Sequence, residues 1–282
     1  MALQHEPNPS APPVQKVRLR YTKRGRLRFT SHRDVARAFE RAIRRAGVPM
    51  AYSQGFNPHP KISWVGAAPT GVASEAEYVE MSLVRAVDPL VLAREVDAAL
   101  PPGLDVVDAV TAATGSLPER IHASLWEIVI DGVDPAQLQR AVTVFLALET
   151  AMVERLTKDG RRQLDARGAV ISMVVATDES PTAPAADIAS AGRCGTASAG
   201  RCGTLRAVVR QTSPAVRPDD VMSALLVVAD LVPAVPVRAT RLAQGPLDDD
   251  GLLGDPLAPD RATGTESRAC DEALLFQLLN PI

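Results

Sequence analysis

From Val17 the chain alternates, with Val17, Leu19 and Tyr21 on one side and Arg18 and Arg20 on the other, the two-residue period of a half-buried strand. Lys23-Arg24-Gly25 reads as a hairpin-like turn, so "RLRF" is expected to return as the second arm of a small hairpin. The period then lengthens. Ser31 is placed to cap a helix, with Asp34 three residues on as a short version of the capping box, and Gly47 with Pro49 ends it. On a 3.6-residue wheel Val35, Phe39, Ala42, Ile43 and Ala46 share one side, and Arg33, Arg37, Arg41, Arg44 and Arg45 share the other. The expected helix is amphipathic, with an arginine stripe turned outward.

Further on, "KISWVGA" predicts a strand, and "EYVEMSLVR" a second in which Val79, Met81 and Leu83 alternate with Tyr78, Glu80 and Ser82. Asp88-Pro89 opens another helix, Pro101-Pro102-Gly103 closes it, and "LDVVDAV" completes the half. Strand, helix, strand, strand, helix, strand is the split βαβ pattern. The second half repeats it more loosely, through "SLWEIVI", a helix from Asp134-Pro135, one or two strands around Asp159-Gly160, "TLRAVVRQ", "RPDDVMSALLVVADL" and "VPVRATRLA". The expected fold is α+β, with two tandem ferredoxin-like (split βαβ) halves at 16–115 and 120–245. A disordered arm is expected at 1–15, a low-complexity insertion at about 177–203, and an acidic, mostly disordered tail at 246–282 whose "EALLFQLLN" could dock as a short helix.

Composition sharpens this picture. Hydrophobic residues make up 46% of 282 and aromatics only 4%, so the core should be mostly aliphatic. The net charge of −2 hides an asymmetry: Lys16–Arg45 holds twelve bases against Asp34 and Glu40, a local +10, while Pro246 to the end sums to −6. Such a block points to a polyanionic partner, or to the chain's own acidic tail competing for the same surface. Cys194, Cys202 and Cys270 form no CxxC and fit a reducing compartment, and the first two lie in the tandem repeat "AGRCGTASAGRCGT". The polar, proline-rich start has no signal-peptide pattern and no segment reaches a membrane span, so a cytoplasmic location is expected.

Candidate chemistry gathers in "AYSQGFNPHPKISW". Two prolines stiffen this loop, and Tyr52, Gln54, Gly55, Phe56, Asn57, His59 and Lys61 give it groups that can read a ligand. The structural alternative has Phe56 plugging the core and Asn57 capping the bend. In the split βαβ order the loop should enter a strand next to the first. Arg18, Arg20, Ser31, His32, Arg33, Arg37 and Arg41 extend the candidate binding set. An open sheet face showing Arg18, Arg20, Tyr78, Ser82 and an outer edge of Ser63 or Trp64 would resemble a platform for single-stranded RNA. His32, His59, Glu77 and Glu80 are the candidate catalytic groups, if they converge on a substrate. Together with Glu75 they match no metal-ligand spacing, and no metal is expected. Phosphate-binding GxxxxGK[ST] and GxGxxG loops are absent from the sequence.

The run "LRYTKRGRLRFTSHRDVARAFERAIRRAGVPMAYSQGFNPHPKISWVGAAPTGVASEAEYVEMSL" resembles the radical-SAM-linked bacterial domain family of unknown function, in its free-standing form. The likeness is strongest in Phe29-Thr30-Ser31-His32, the Tyr52–Pro60 loop and the Gly71–Tyr78 turn, and extends more weakly to "RRQLDARGAVISM" and "LRAVVRQTSPAVRPDDVMSALL". It implies a cytoplasmic partner domain without an established reaction, with RNA and a separate cobalamin-binding radical SAM protein as candidate partners. The chain lacks the CxxxCxxC of a radical SAM cluster, so no such cofactor is expected here. The leading expectation is an accessory protein that binds tRNA or rRNA and assists its modification. The alternatives are an enzyme with a His/carboxylate site near residues 52–61, and a protein-interaction module that uses the arginine-rich helix.

Overall fold

The computed structural model describes residues 11–54, 56–113, 115–157, 160–176, 202–233 and 235–263. The expected insertion with Cys194, the residues after Thr263 with Cys270 and "EALLFQLLN", and most of the expected N-terminal arm lie outside them. The architecture is mixed α/β, with six α-helices among the described residues. Two compact units divide the described residues, one within 11–119 and 257–263, the other within 120–256.

The first unit runs β1 (Gln15–Lys23), α1 (His32–Arg45), β2 (Ile62–Val65), β3 (Ala73–Leu83), α2 (Pro89–Ala99) and β4 (Val106–Thr111). Its strands lie in the order β4-β1-β3-β2, and each neighbouring pair is antiparallel. Alternation along β1 places Val17, Leu19 and Tyr21 in a core with Phe39, Val79, Met81, Leu83, Leu92 and Val96. Aromatic rings meet edge-on there, Tyr21 on Phe39 at 4.7 Å and Trp64 on Phe39 at 5.2 Å. The N-cap is as the spacing predicts, with Ser31 Oγ accepting the Asp34 N–H at 3.3 Å, but the capping box is not closed: Asp34 Oδ2 accepts from Ser31 Oγ at 2.7 Å in place of the Ser31 N–H. Val35, Ala38, Phe39, Ala42 and Ile43 are buried, while Arg33, Arg37, Arg41, Arg44 and Arg45 are exposed.

Two local expectations fail. Gly25–Phe29 forms a 3-10 turn, not a returning strand, because Gly25 at φ +54° turns the chain and Arg24 donates its N–H to Gly103 O instead of to a hairpin partner. And the loop after α1 enters β2 beside β3, not beside β1, so that β3 separates the two strands that α1 connects.

The second unit contains β5 (Ala123–Asp131), α3 (Pro135–Leu146), β6 (Met152–Thr157), β7 (Gly160–Asp165), α4 (Ala166–Ala169), β8 (Val170–Ala176), β9 (Cys202–Arg210), α5 (Pro218–Ala229) and β10 (Arg238–Gly245). The order β10-β5-β9-β8 is antiparallel throughout, and β6 and β7 pair with each other as a separate hairpin. With that hairpin and α4 set aside, the second unit has the strand and helix order of the first. Cys202 and Gly203, expected in the insertion, open β9, where an added Cβ on Gly203 would meet Leu138 Cδ2 at 2.8 Å.

The segment from Pro246 to Thr263, expected to begin a disordered acidic tail, is folded. Leu247 bridges Leu253, and both pack with Ala123, Leu125 and Val208. Leu257 is buried, and a last helix, α6 (Ala258–Thr263), belongs to the first unit. Apolar residues spaced among the aspartates anchor this stretch, which charge counting alone misses.

Candidate functional site

The exposed bases of α1 form one continuous stripe because arginines at 33, 37, 41, 44 and 45 fall on the face opposite Phe39 and Ile43. Arg37 lies 3.5 Å from Asp34 across one helical turn. Both are largely solvent-exposed, so the pair does little to neutralise the stripe.

Beyond the helix the chain passes Gly47, whose positive φ of 63° lets it reverse, and enters the loop. Backbone pairing fixes the loop's base. Met50 bridges Leu83, Ala51 donates to Ser82 O at 2.8 Å, Ser82 donates to Lys61 O at 3.0 Å and Lys61 donates to Ala51 O at 2.8 Å. Higher up, Tyr52 bridges Pro60, Ser53 N–H donates to His59 O at 2.8 Å, and His59 N–H donates back to Ser53 Oγ at 2.9 Å. On this frame Gln54, Asn57, His59 and Lys61 are exposed, Tyr52 is 40% exposed and Phe56 is 94% exposed. The structural alternative, in which Phe56 plugs the core, is therefore overturned: the loop's two arms pair with each other and Phe56 is left exposed at the tip. Gly55 lies outside the described residues. Neither loop proline follows a cis bond; the cis peptide among the described residues is Ser213–Pro214.

The sheet face opposite α1 is not the open platform considered from the sequence. Arg18 is 2% exposed, and Tyr78 and Ser82 are also buried. Arg18 donates from Nε to Glu80 at 2.9 Å and from Nη1 to Asp260 at 2.7 Å, with Nη2 bonded to Gly115 O. Asp260, on α6, also accepts the Ala113 N–H at 3.0 Å, and Arg261 pairs with Asp108 on β4. Burial alone would raise the Glu80 carboxyl, but the hydrogen bonds and charges of Lys16 and Arg18 outweigh it and hold the pKa below its ordinary 4.5. Arg20 is half-buried and donates to Glu75 O at 3.2 Å.

The proposed acid–base set does not share one face. Register pairs Glu77 with Tyr21 and Glu80 with Arg18, and residues three apart on a strand point to opposite sides. Glu77 is buried and accepts the Ala68 N–H at 2.9 Å. His32 sits at the start of α1, with its ring edge-on to Trp64 at 5.3 Å, and Trp64 faces the helices, not the outer sheet surface. Among the described residues no group of three or more His, Cys, Asp or Glu could hold a metal ion, and no helix is long and apolar enough to cross a membrane.

Three features lie outside the candidate binding and catalytic residues named from the sequence. Arg28 places its guanidinium over the Phe29 ring, 5.1 Å from the centroid, and Phe29 is 64% exposed. Lys23 is buried and donates to the carbonyls of Ala68 and Pro69 at 3.3 and 3.0 Å. Asp260 closes the Arg18 network. Phe29, a large apolar residue in a basic run, had a visible signal; Asp260, one aspartate among many, had none.

Residues 16–218 match the family described as "Uncharacterized protein conserved in bacteria (DUF2344)". The chain belongs to that family. The DUF2344 span contains every candidate residue considered above, from Arg18 to Glu80, whereas α6 and its Asp260 lie past its end. No curated protein matches the chain.

Proposed function

We propose that this DUF2344 protein is a cytoplasmic accessory RNA-binding protein that acts with a separate radical SAM enzyme on tRNA or rRNA. Each unit, on this reading, is a ferredoxin-like sheet, a pairing supported by the repeated 4-1-3-2 strand order. The observation that carries the RNA assignment is Phe56, 94% exposed at the tip of a loop whose base is hydrogen-bonded in place, directly after a helix faced with arginine. Exposing an aromatic ring that fully costs hydration free energy without any packing return, and an unpaired base offers it a flat apolar partner. Arginines nearby meet phosphates through forked, charge-assisted hydrogen bonds. The RNA surface is thus assigned to α1 and the 51–61 loop, away from buried Arg18 and Tyr78.

Crosslinking and sequencing of RNA bound to the protein in its native cells tests this, with Arg37→Glu/Arg41→Glu as the control. Enrichment of one tRNA or rRNA segment, lost in the control, is expected. Equal recovery from both proteins would remove the RNA assignment.

A further inference from the structure

The Arg28–Phe29 pair and the Phe56 loop stand at opposite ends of one strand. Gly71, two residues before β3, donates its N–H to Arg28 O at 2.7 Å and accepts from Arg28 Nε at 2.9 Å. At the far end of β3, Ser82 receives the Ala51 N–H at the base of the loop. Eleven residues of strand set these ends roughly 35 Å apart. Between them in sequence lies α1, fourteen residues and about 21 Å long, with its arginine face to solvent.

Resting on the RNA reading above, we infer that Arg28 and Phe29 form a second base-stacking site, so that one unpaired RNA strand is held by aromatic rings beyond both ends of α1 and by its arginines between. The chemistry of the first end differs from that of the loop. At Phe29 one ring face is already covered by a guanidinium, and Arg28 is itself fixed by the two bonds to Gly71, so the pair is built before ligand arrives. A cation over one face leaves the other for a base, and its charge is available to the adjoining phosphate. Gly71 can serve as the anchor because its φ of +93° opens its backbone toward Arg28 in a conformation other residues resist. Lys23 and Glu77 act behind it as positioning residues: both are buried, and between them they bind the N–H and carbonyl of Ala68 and the carbonyl of Pro69, fixing the turn that ends at Gly71.

The ligand class is single-stranded RNA long enough to span the helix, not a mononucleotide or a duplex end. Labelled oligouridines from about 4 to about 16 nucleotides, titrated against the full chain by fluorescence anisotropy, supply the test. Affinity of the wild type should rise with length and then level once both ends are engaged. Phe29→Ala should weaken the long oligomers about five- to hundredfold and bring them down to the level of short ones, with Phe29→Tyr restoring binding. Long oligomers that bind Phe29→Ala as tightly as the wild type, while Arg37→Glu/Arg41→Glu abolishes binding, would overturn the second site and leave the RNA reading standing. Wild type that binds no oligomer of any length would overturn both.

Discussion

Arg18 and Asp260 form a buried ion pair at 2.7 Å across 242 residues of sequence, closing the first unit with a carboxylate from the far end of the chain. The contact joins β1 to α6 and leaves Arg18 shared between two carboxylates, with Glu80 on its Nε. Taking Asp260 away leaves part of a guanidinium buried without its counter-charge, a situation that costs about 3–5 kcal/mol where one partner of a buried pair is lost. Asp260→Ala should therefore lower the urea midpoint of unfolding strongly. The double variant Arg18→Met/Asp260→Leu should recover part of the loss, because it removes the buried charge of Arg18 together with that of Asp260 and leaves Glu80 only its pair with Lys16.

Glu80 gives that network a pH dependence of definite sign. Its carboxyl titrates below 4.5 in the folded chain, so its contribution is complete above that value and disappears as pH falls through the lowered folded-state pKa. The stability difference between wild type and Glu80→Gln should be largest near neutrality and shrink on acidification below about 4.5. Chemical denaturation at a series of pH values measures it, and a difference that stays constant through the acid range would contradict the assignment.

Ser31 and Phe56 should separate stability from binding. Ser31→Ala removes the acceptor for the Asp34 N–H and should cost about 1 kcal/mol in thermal or denaturant unfolding.

Phe56→Ala, at a site 94% exposed, should leave stability within about 0.5 kcal/mol of wild type. The same variant should weaken single-stranded RNA binding about five- to hundredfold. A large fall in melting temperature instead would mean that Phe56 packs in solution.

Salt provides an independent check on the arginine stripe. Each phosphate contact removed should flatten the slope of log affinity against log salt by about 0.7 for a single strand. Arg37→Ala and Arg41→Ala should each reduce the slope by about that amount in the same anisotropy titration.

Periodicity carried most of the first unit. Val17/Leu19/Tyr21 and Val79/Met81/Leu83 announce half-buried strands, and Ser31 with the arginine spacing announces α1 and its exposed face. What alternation cannot encode is which side of a sheet a distant segment will cover. Arg18 alternates as an outward residue and does lie opposite the helices, yet α6 supplies a carboxylate that buries it. Similarly, "RLRF" has a strand's alternation, but Leu27 donates its N–H to Arg24 O within the turn and Arg28 O accepts from Gly71, a neighbour set by tertiary contact. The loop was legible as stiff and polar. The outward direction of Phe56 follows from pairing between its arms, which no local pattern around Phe56 specifies.

The position of Asp260 also sets a clock on the ribosome. Arg18 is made early, and its second carboxylate emerges 242 residues later, which at bacterial synthesis rates of about 5–20 residues per second is a wait of roughly 12–50 seconds. For that interval the nascent first unit carries an unfinished charge pair, and a chain halted anywhere before Leu257 keeps it unfinished. Completion of β1's surroundings thus reports that synthesis has passed Asp260.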